Sequence, residues 1–218
     1  ASVIVDSDIY LGIIPMGTAN ALAHVFFGWQ SKVIPVYSSC DAIIAGNVRT
    51  IDTALCNDEL MLLAVGVGLE EHMIRSANRE EKTSLGTLAY IKGFAEGLGS
   101  GAQQEFRLTL DDDSLGDVRT QSLMIANAAP ATTLLAQGLG EPNFEDGRLD
   151  VTWFNDSDGD VGDGVAAVGE LAYAVVTESV PATHISHRVA QRVKVEGRQG
   201  QKLPYVLDGE WREAETIA

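Results

Sequence analysis

From Phe106 onward the apolar residues come in short, alternating or β-branched runs, at 106–110, 118–126, 149–154, 184–188, 192–196 and 205–208, punctuated by Gly, Asp and Asn. A single helical pattern interrupts them, at 161–176, with Asp160 placed to cap its N-terminus. Many short strands with few inserted helices predict two packed sheets, a β-sandwich-like domain. The longest apolar stretches, 60–65 and 165–176, are short or broken by Gly and Glu, and fall below the roughly 20 residues that span a bilayer.

The first quarter of the chain reads differently. Residues 9–14 have the pattern of a buried strand and run into Pro15-Met16-Gly17-Thr18-Ala19-Asn20. A helix is predicted at 21–27 with Gly28 as its stop, and Pro35 opens a second helical pattern, 39–45, closed by Gly46. Strand, glycine turn and two helices are the tail of an α/β unit, so residues 1–48 are expected to end a larger domain. Residues 50–55 and 60–67 around Asn57-Asp58-Glu59 predict a hairpin, and 70–78 and 85–98 carry apolar residues at helical spacing. The predicted class is α+β, the end of an α/β domain followed by a β-sandwich-like domain with inserted helices.

Charge narrows the partners. With 15 Lys and Arg against 31 Asp and Glu the 218-residue chain carries −16, which excludes the clustered basic face that nucleic acid requires. The same charge opposes an anionic membrane surface, which attracts Lys and Arg. Asp6 and Asp8 stand where a signal peptide would place a basic leader, so a cytoplasmic protein is expected. Cys40 and Cys56 do not make a disulfide framework and are expected to be reduced.

Several segments carry chemistry beside a plainer reading. Gly17-Thr18-Ala19-Asn20 lies between a strand end and a helix start, where free N–H groups favour a phosphate, although Thr18 also serves as an ordinary N-cap. Glu145-Asp146-Gly147 and Asp208-Gly209-Glu210 are turn-forming on composition alone, the latter leading into a last strand at 211–217. Asp156, Asp158 and Asp160 suggest a calcium loop, but Ala167 occupies the twelfth position, where a Glu ligand is needed. His184 and His187, three apart on a predicted strand, point to opposite faces and read as surface residues.

In order along the chain, five segments carry a resemblance. Leu11-Gly12-Ile13-Ile14-Pro15-Met16-Gly17-Thr18-Ala19-Asn20 resembles the proline-glycine-threonine-asparagine segment of the diacylglycerol kinase, sphingosine kinase and YegS-like lipid kinases. Val65-Gly66-Val67-Gly68-Leu69-Glu70 resembles the family's Gly-x-Gly-x-Asp, and Leu85-Gly86-Thr87-Leu88-Ala89-Tyr90-Ile91 its Leu-Gly-x-x-x-Tyr helix. Glu145-Asp146-Gly147-Arg148-Leu149-Asp150 is similar to its Asp-Gly-x-Leu-Asp element, and Leu207-Asp208-Gly209-Glu210 to its terminal Asp-Gly-Glu. The family's upstream Gly-Gly-Asp-Gly-Thr nucleotide loop is not among these residues, and Ala21 stands where the family often has Asp, as in the sphingosine-kinase-like branch.

The resemblance implies an ATP-dependent lipid kinase of phospholipid metabolism that moves a γ-phosphoryl group to a diacylglycerol-like hydroxyl. Residues 1–48 would be the C-terminal part of the nucleotide-binding domain. Residues 49–218 would be the substrate domain, with the extreme C-terminus returning to the first. It further implies Glu210 as general base with Asp208 beside it to orient it or raise its pKa. Gly17, Thr18 and Asn20 would lie at ATP, and Glu70 at the lipid cleft. A structural or regulatory Mg2+ would sit at Asp146, flanked by main-chain carbonyls of Asn143 and Arg148. The expected partners are a lipid substrate and a transient membrane surface, with room for a homodimer. The 218 residues alone are expected to bind ATP poorly and to be inactive. The rival reading is a non-catalytic lipid-binding or regulatory module that has lost its kinase half. A NAD-kinase-like enzyme is weaker, because no Gly-Ser-Thr-x-Tyr segment is present.

Overall fold

The structure, a computed structural model, describes residues 2, 4–17, 20–27, 35–68, 103–129, 143–155 and 185–218. Among them the protein is mostly β, with two α-helices, α1 (Ala21–Phe27) and α2 (Pro35–Ala45). The predicted helices at 70–78, 85–98 and 161–176, the acidic run at 156–160, and His184 lie outside the described residues.

Helix α2 ends as its sequence directs. Gly46, at φ 68°, takes the left-handed position after the last turn and donates its N–H to the carbonyl of Ile43 at 3.2 Å. Residues 9–14 form no ladder, and Ile9, Tyr10, Leu11 and Ile14 are exposed. A strand of the parallel type is defined by its neighbours, and none of the described residues pairs with this segment.

The strands are β1 (Ala54–Cys56), β2 (Glu59–Met61), β3 (Ala64–Gly68), β4 (Gln104–Leu110), β5 (Asp113–Thr120), β6 (Ser122–Ala126), β7 (Leu149–Phe154), β8 (Ile185–Ala190), β9 (Val193–Gly197), β10 (Leu203–Leu207), β11 (Glu210–Ala214) and β12 (Thr216–Ile217). A six-stranded sheet has the order β11-β10-β3-β6-β7-β8, and a four-stranded sheet the order β12-β9-β4-β5. Every pairing is antiparallel. β1 and β2 pair only with each other, through a two-residue turn at Asn57 and Asp58 with φ 49° and 68°. Positive φ at both positions is what a tight hairpin needs, and Asn and Asp tolerate it. The predicted hairpin is therefore present but short: the run 60–67 bends at Leu62-Leu63 and continues as β3 in the large sheet.

One hydrophobic cluster joins the two sheets. Leu123, Val151 and Leu203 from the large sheet and Phe106, Leu108 and Val195 from the small one are all 0% exposed. Burying each such side chain stabilises the fold by about 1.5–3 kcal/mol.

The chain crosses between the sheets over residues 198–202 and, within one or two residues, at Gln121, at Gln191-Arg192 and at Glu215. At each of the three short crossings the core-facing alternation slips by one residue: Val118 gives way to Leu123, Ala190 to Val193, and Ala214 to Ile217. The runs 118–126 and 211–217, each continuous in sequence, are for this reason two strands in two sheets. His187 corrects the surface assignment. Its side chain is 8% exposed, and its Nε2 lies 2.8 Å from Oδ1 of Asp150 on the neighbouring strand.

Close approach fixes one glycine between the sheets. A Cβ on Gly197 would lie 1.8 Å from the carbonyl oxygen of Gln201, a backbone atom that cannot step aside. Gly197→Ala is expected to destabilise the fold by at least about 2 kcal/mol in urea unfolding, as overpacking does. A loss below about 0.5 kcal/mol, the range of ordinary surface changes, would contradict that packing.

Candidate active site

The candidate residues occupy three turns. In the first, Gly17 donates its N–H to Oδ1 of Asn20 at 2.8 Å, and Nδ2 of Asn20 donates to the carbonyl of Gly17. The Asn20 carbonyl then accepts the first helical bond of α1, from the N–H of His24 at 3.0 Å. Asn20 thus closes its own turn, and the Gly17 amide that would face a phosphate is already donated. Thr18 lies outside the described residues, as does Glu70.

The second turn is the loop 143–148. Asn143 Oδ1 accepts the N–H of Glu145 at 3.1 Å, and Asp146 Oδ1 accepts that of Arg148 at 3.0 Å, both short Asx-type closures. Gly147, at φ 67°, donates to Oδ2 of Asp52 at 2.6 Å. Arg49 forks onto Glu145 at 2.9 and 2.8 Å and lies 5.0 Å from the centroid of Phe144, whose ring also meets the edge of Phe26 from α1. The Arg49 guanidinium holds the Glu145 carboxyl below the usual glutamate range, first through the hydrogen bond and then through charge.

This loop suits a weakly held hard cation. Only one oxygen of Asp146 is engaged within the turn, and the carbonyls of Asn143 and Arg148 flank it in sequence. Oxygen donors of this kind fit Mg2+ that keeps several waters. No group of three or more His, Cys, Asp or Glu is gathered among the described residues, so a site built only of such side chains is not found there.

The third turn joins β10 to β11. Asp208 and Gly209, at φ 48° and 92°, form the two-residue hairpin turn, and Glu210 is the first residue of β11. The Asp208 carboxylate does not face Glu210. Its Oδ2 accepts the N–H of Leu62 at 2.8 Å, and its Oδ1 those of Leu63 at 2.8 Å and Ala64 at 3.0 Å. Asp208 is thereby a clamp on the β2–β3 bend, a role different from the expected partner of a base.

Glu210 is instead held by Arg212, two residues on and so on the same side of the strand. Nη2 of Arg212 donates to Glu210 Oε2 at 3.0 Å, while Nε and Nη2 fork onto Glu59 at 3.0 and 2.9 Å. These bonds lift Arg212 above its ordinary range and hold Glu59 below its own, the hydrogen bonds leading in both cases. Nearby, burial pushes the Cys56 thiol up to about 11, so this sulfur is an inert core group.

A run of bonds, part-buried at Asn127 and Asp208 and exposed at Gly147, connects the second and third turns. Asn127, 2% exposed, donates from Nδ2 to the carbonyls of Asp52 and Leu62, each at 3.0 Å, and from its own N–H to the carbonyl of Leu63 at 2.8 Å. Asp52 in turn donates its N–H to the carbonyl of Phe144 at 2.7 Å and takes the Gly147 N–H on its carboxylate. A cleft of about 510 Å³ opens beside this run, lined by Asp52, Asn127, Gly147 and Arg148 and floored by Met61 and Ile125. Sequence reasoning missed Asp52, Asn127 and Arg212. A period-of-two reading of β11 reaches Arg212 from Glu210, but nothing in the local pattern marks Asp52 or Asn127.

Two walls of antiparallel strand enclose one core, with acidic turns at strand ends, and comparison with known proteins adds the following likenesses. Residues 1–56 match the diacylglycerol kinase catalytic domain. An uncharacterized protein of Synechocystis is 38% identical over 213 residues, 96% of this chain and 47% of that protein. The diacylglycerol kinase of Bacillus subtilis is 26% identical over 203 residues, 92% of this chain and 62% of the enzyme. Two solved structures share the fold: a diacylglycerol kinase of Bacillus anthracis, at TM-score 0.62 and 15% identity, and another structure from that organism, at 0.69 and 18%. This chain covers 61% and 64% of them, with 94% of its own length matched in each. These matches support a likeness of this chain to the diacylglycerol kinase-like lipid kinases. The chain spans from about half to just under two thirds of these relatives. No helix among the described residues is long and apolar enough to cross a membrane, which says nothing of strand-built spans.

The clamp makes a direct prediction. Asp208→Ala leaves three consecutive backbone N–H groups without their charged acceptor, and bonds to charged groups contribute about 1.5–3 kcal/mol each before water compensates. Chemical denaturation is expected to show a loss of about 3 kcal/mol. Stability within about 0.5 kcal/mol of the parent would mean that the bend does not depend on Asp208.

Proposed function

We propose that the complete protein transfers the γ-phosphoryl group of ATP to the hydroxyl of a diacylglycerol-like lipid, with Glu210 as the general base. The match of residues 1–56 to the diacylglycerol kinase catalytic domain and the likeness to the Bacillus subtilis diacylglycerol kinase support the reaction class. The observation that carries the assignment is the turn itself: the clamped Asp208 fixes where β11 begins, and Arg212 occupies Oε2 of Glu210 while the side chain stays 74% exposed. Oε1 is left as the oxygen that takes the hydroxyl proton as the new O–P bond forms. Phosphoryl transfer needs mainly positioning and neutralised charge, so one carboxylate on a fixed turn suffices for the proton.

In this reading residues 1–48 complete a nucleotide-binding domain and residues 49–218 form a β-sandwich-like substrate domain, with Gly17, Thr18 and Asn20 near ATP and Glu70 near the lipid. The Gly17–Asn20 turn contributes its shape to the nucleotide side rather than the Gly17 amide, which is spent internally. Mg2+ at Asp146, with the Asn143 and Arg148 carbonyls, would supply a positive centre that stiffens the loop. Binding at the membrane is transient and peripheral, through the lipid rather than through a basic surface, in keeping with a charge of −16.

Two substitutions in the full-length protein test this. Glu210→Gln keeps size and one acceptor oxygen but takes no proton, so kcat is expected to fall about 10²-fold or more with ATP and lipid binding retained. Retention of more than about a tenth of kcat removes Glu210 from the mechanism. Failure of the parent itself to phosphorylate any lipid would favour the non-catalytic lipid-binding module. Asp146→Asn is expected to shift the Mg2+ activation curve to higher concentration by about tenfold with little change in thermal stability. An unmoved curve returns Asp146 to an ordinary turn.

A further inference from the structure

We infer that Asn127 is a positioning residue, whose buried carboxamide holds the 143–148 loop and the Asp208-Gly209-Glu210 turn in one register. The inference rests on the kinase reading for its functional meaning, but its geometry stands apart from it. The bend at Leu62-Leu63 lies between the two turns, and each of its polar backbone groups is bonded on one side or the other. Its N–H groups go to the Asp208 carboxylate. Its carbonyls go to Asn127, that of Leu62 to Nδ2 and that of Leu63 to the main chain, and Leu63 takes a second bond from the N–H of Ala128 at 3.0 Å.

On the other side, Nδ2 of Asn127 also holds the carbonyl of Asp52, and Asp52 holds the loop at two points, Phe144 and Gly147. The Nδ2 group therefore donates one hydrogen to each half. A primary amide is the smallest side chain that offers two donors from one nitrogen. Asp at this position would set a carboxylate against two carbonyls, and Ala would leave both part-buried carbonyls without this donor. Because the donors share one planar group, a shift of the loop moves the bend, and the bend carries Asp208 and with it the start of β11.

Hydrogen exchange and metal binding in the full-length protein test this together. Asn127→Ala is expected to speed amide exchange at Leu62, Leu63 and Ala64 and at Gly147 and Arg148 in parallel, by about tenfold or more, while Phe106 and Leu108 in the core keep their protection. Mn2+, used as a paramagnetic probe of the Mg2+ site, is expected to bind about tenfold more weakly, the usual effect of losing a partner that orients a metal loop. Asn127→Ser, which keeps one donor, should restore protection to one of the two segments and serves if the alanine variant does not fold. Asp52→Ala should speed exchange at Gly147 and Arg148 only. Faster exchange in just one segment of Asn127→Ala, or in neither, overturns the coupling. Absence of Mn2+ binding by the parent overturns the metal reading instead, and exchange alone then decides the role of Asn127.

Discussion

The carboxylate of Asp208 bonded to three successive backbone N–H groups is the contact on which the arrangement of the site depends. It converts a bend that would otherwise expose unpaired amides into a fixed junction between the β1–β2 hairpin and the large sheet. Because Asp208 is also the first residue of the β10–β11 turn, the junction sets where β11 starts and where Glu210 stands. The N–H of Asp208 closes the junction by donating to the carbonyl of Ala64 at 3.0 Å. A charged acceptor makes stronger bonds than a neutral one, which suits a place where three donors converge.

Around that junction the fold is organised by phase slips. Three crossings, each of one or two residues, carry the chain from one sheet to the other and re-aim the side-chain alternation at a shared core. Strands that bend between sheets keep these three junctions short. The acidic turns then fall at the ends of the strands, where their carboxylates are put to work on backbone amides: Asp208 on residues 62–64, Asp111 on Gln191 and Arg192, Asp52 on Gly147. These three carboxylates thus serve as structural caps. The remaining surface pairs, such as Arg198 with Glu105 and Lys194 with Glu196, are exposed and contribute little to stability.

Asp208 shows how a family motif and its local physics can diverge. Asp-Gly is a turn signal on composition, and a turn is what it forms. The resemblance placed Asp208 beside the base, yet its two oxygens point back to a segment about 145 residues away in sequence, as the Leu63 and Asp208 contact records. Arg212 takes up the neighbouring place instead. The side-chain period of two put it on the same side as Glu210, but its fork onto Glu59 needed the β1–β2 hairpin to lie across the sheet edge.

The sequence by itself determined the local elements whose signals are local. Gly46 closes a helix because only its backbone relaxes into the left-handed turn, Asn57-Asp58 makes a hairpin because both residues tolerate positive φ, and 149–154 is a strand whose Leu149, Val151 and Trp153 alternate with Asp150 and Thr152. The ordered motifs also carried the resemblance to the diacylglycerol kinase-like lipid kinases. Only the tertiary structure decided that 118–126 and 211–217 are each two strands, that residues 9–14 pair with none of the described residues, and that Asn127 and Asp52 bridge the two acidic turns. The reason is the same in each case. Alternation and turn chemistry report on a residue and its near neighbours, whereas sheet membership and buried hydrogen bonds are settled by which distant backbone groups arrive opposite it.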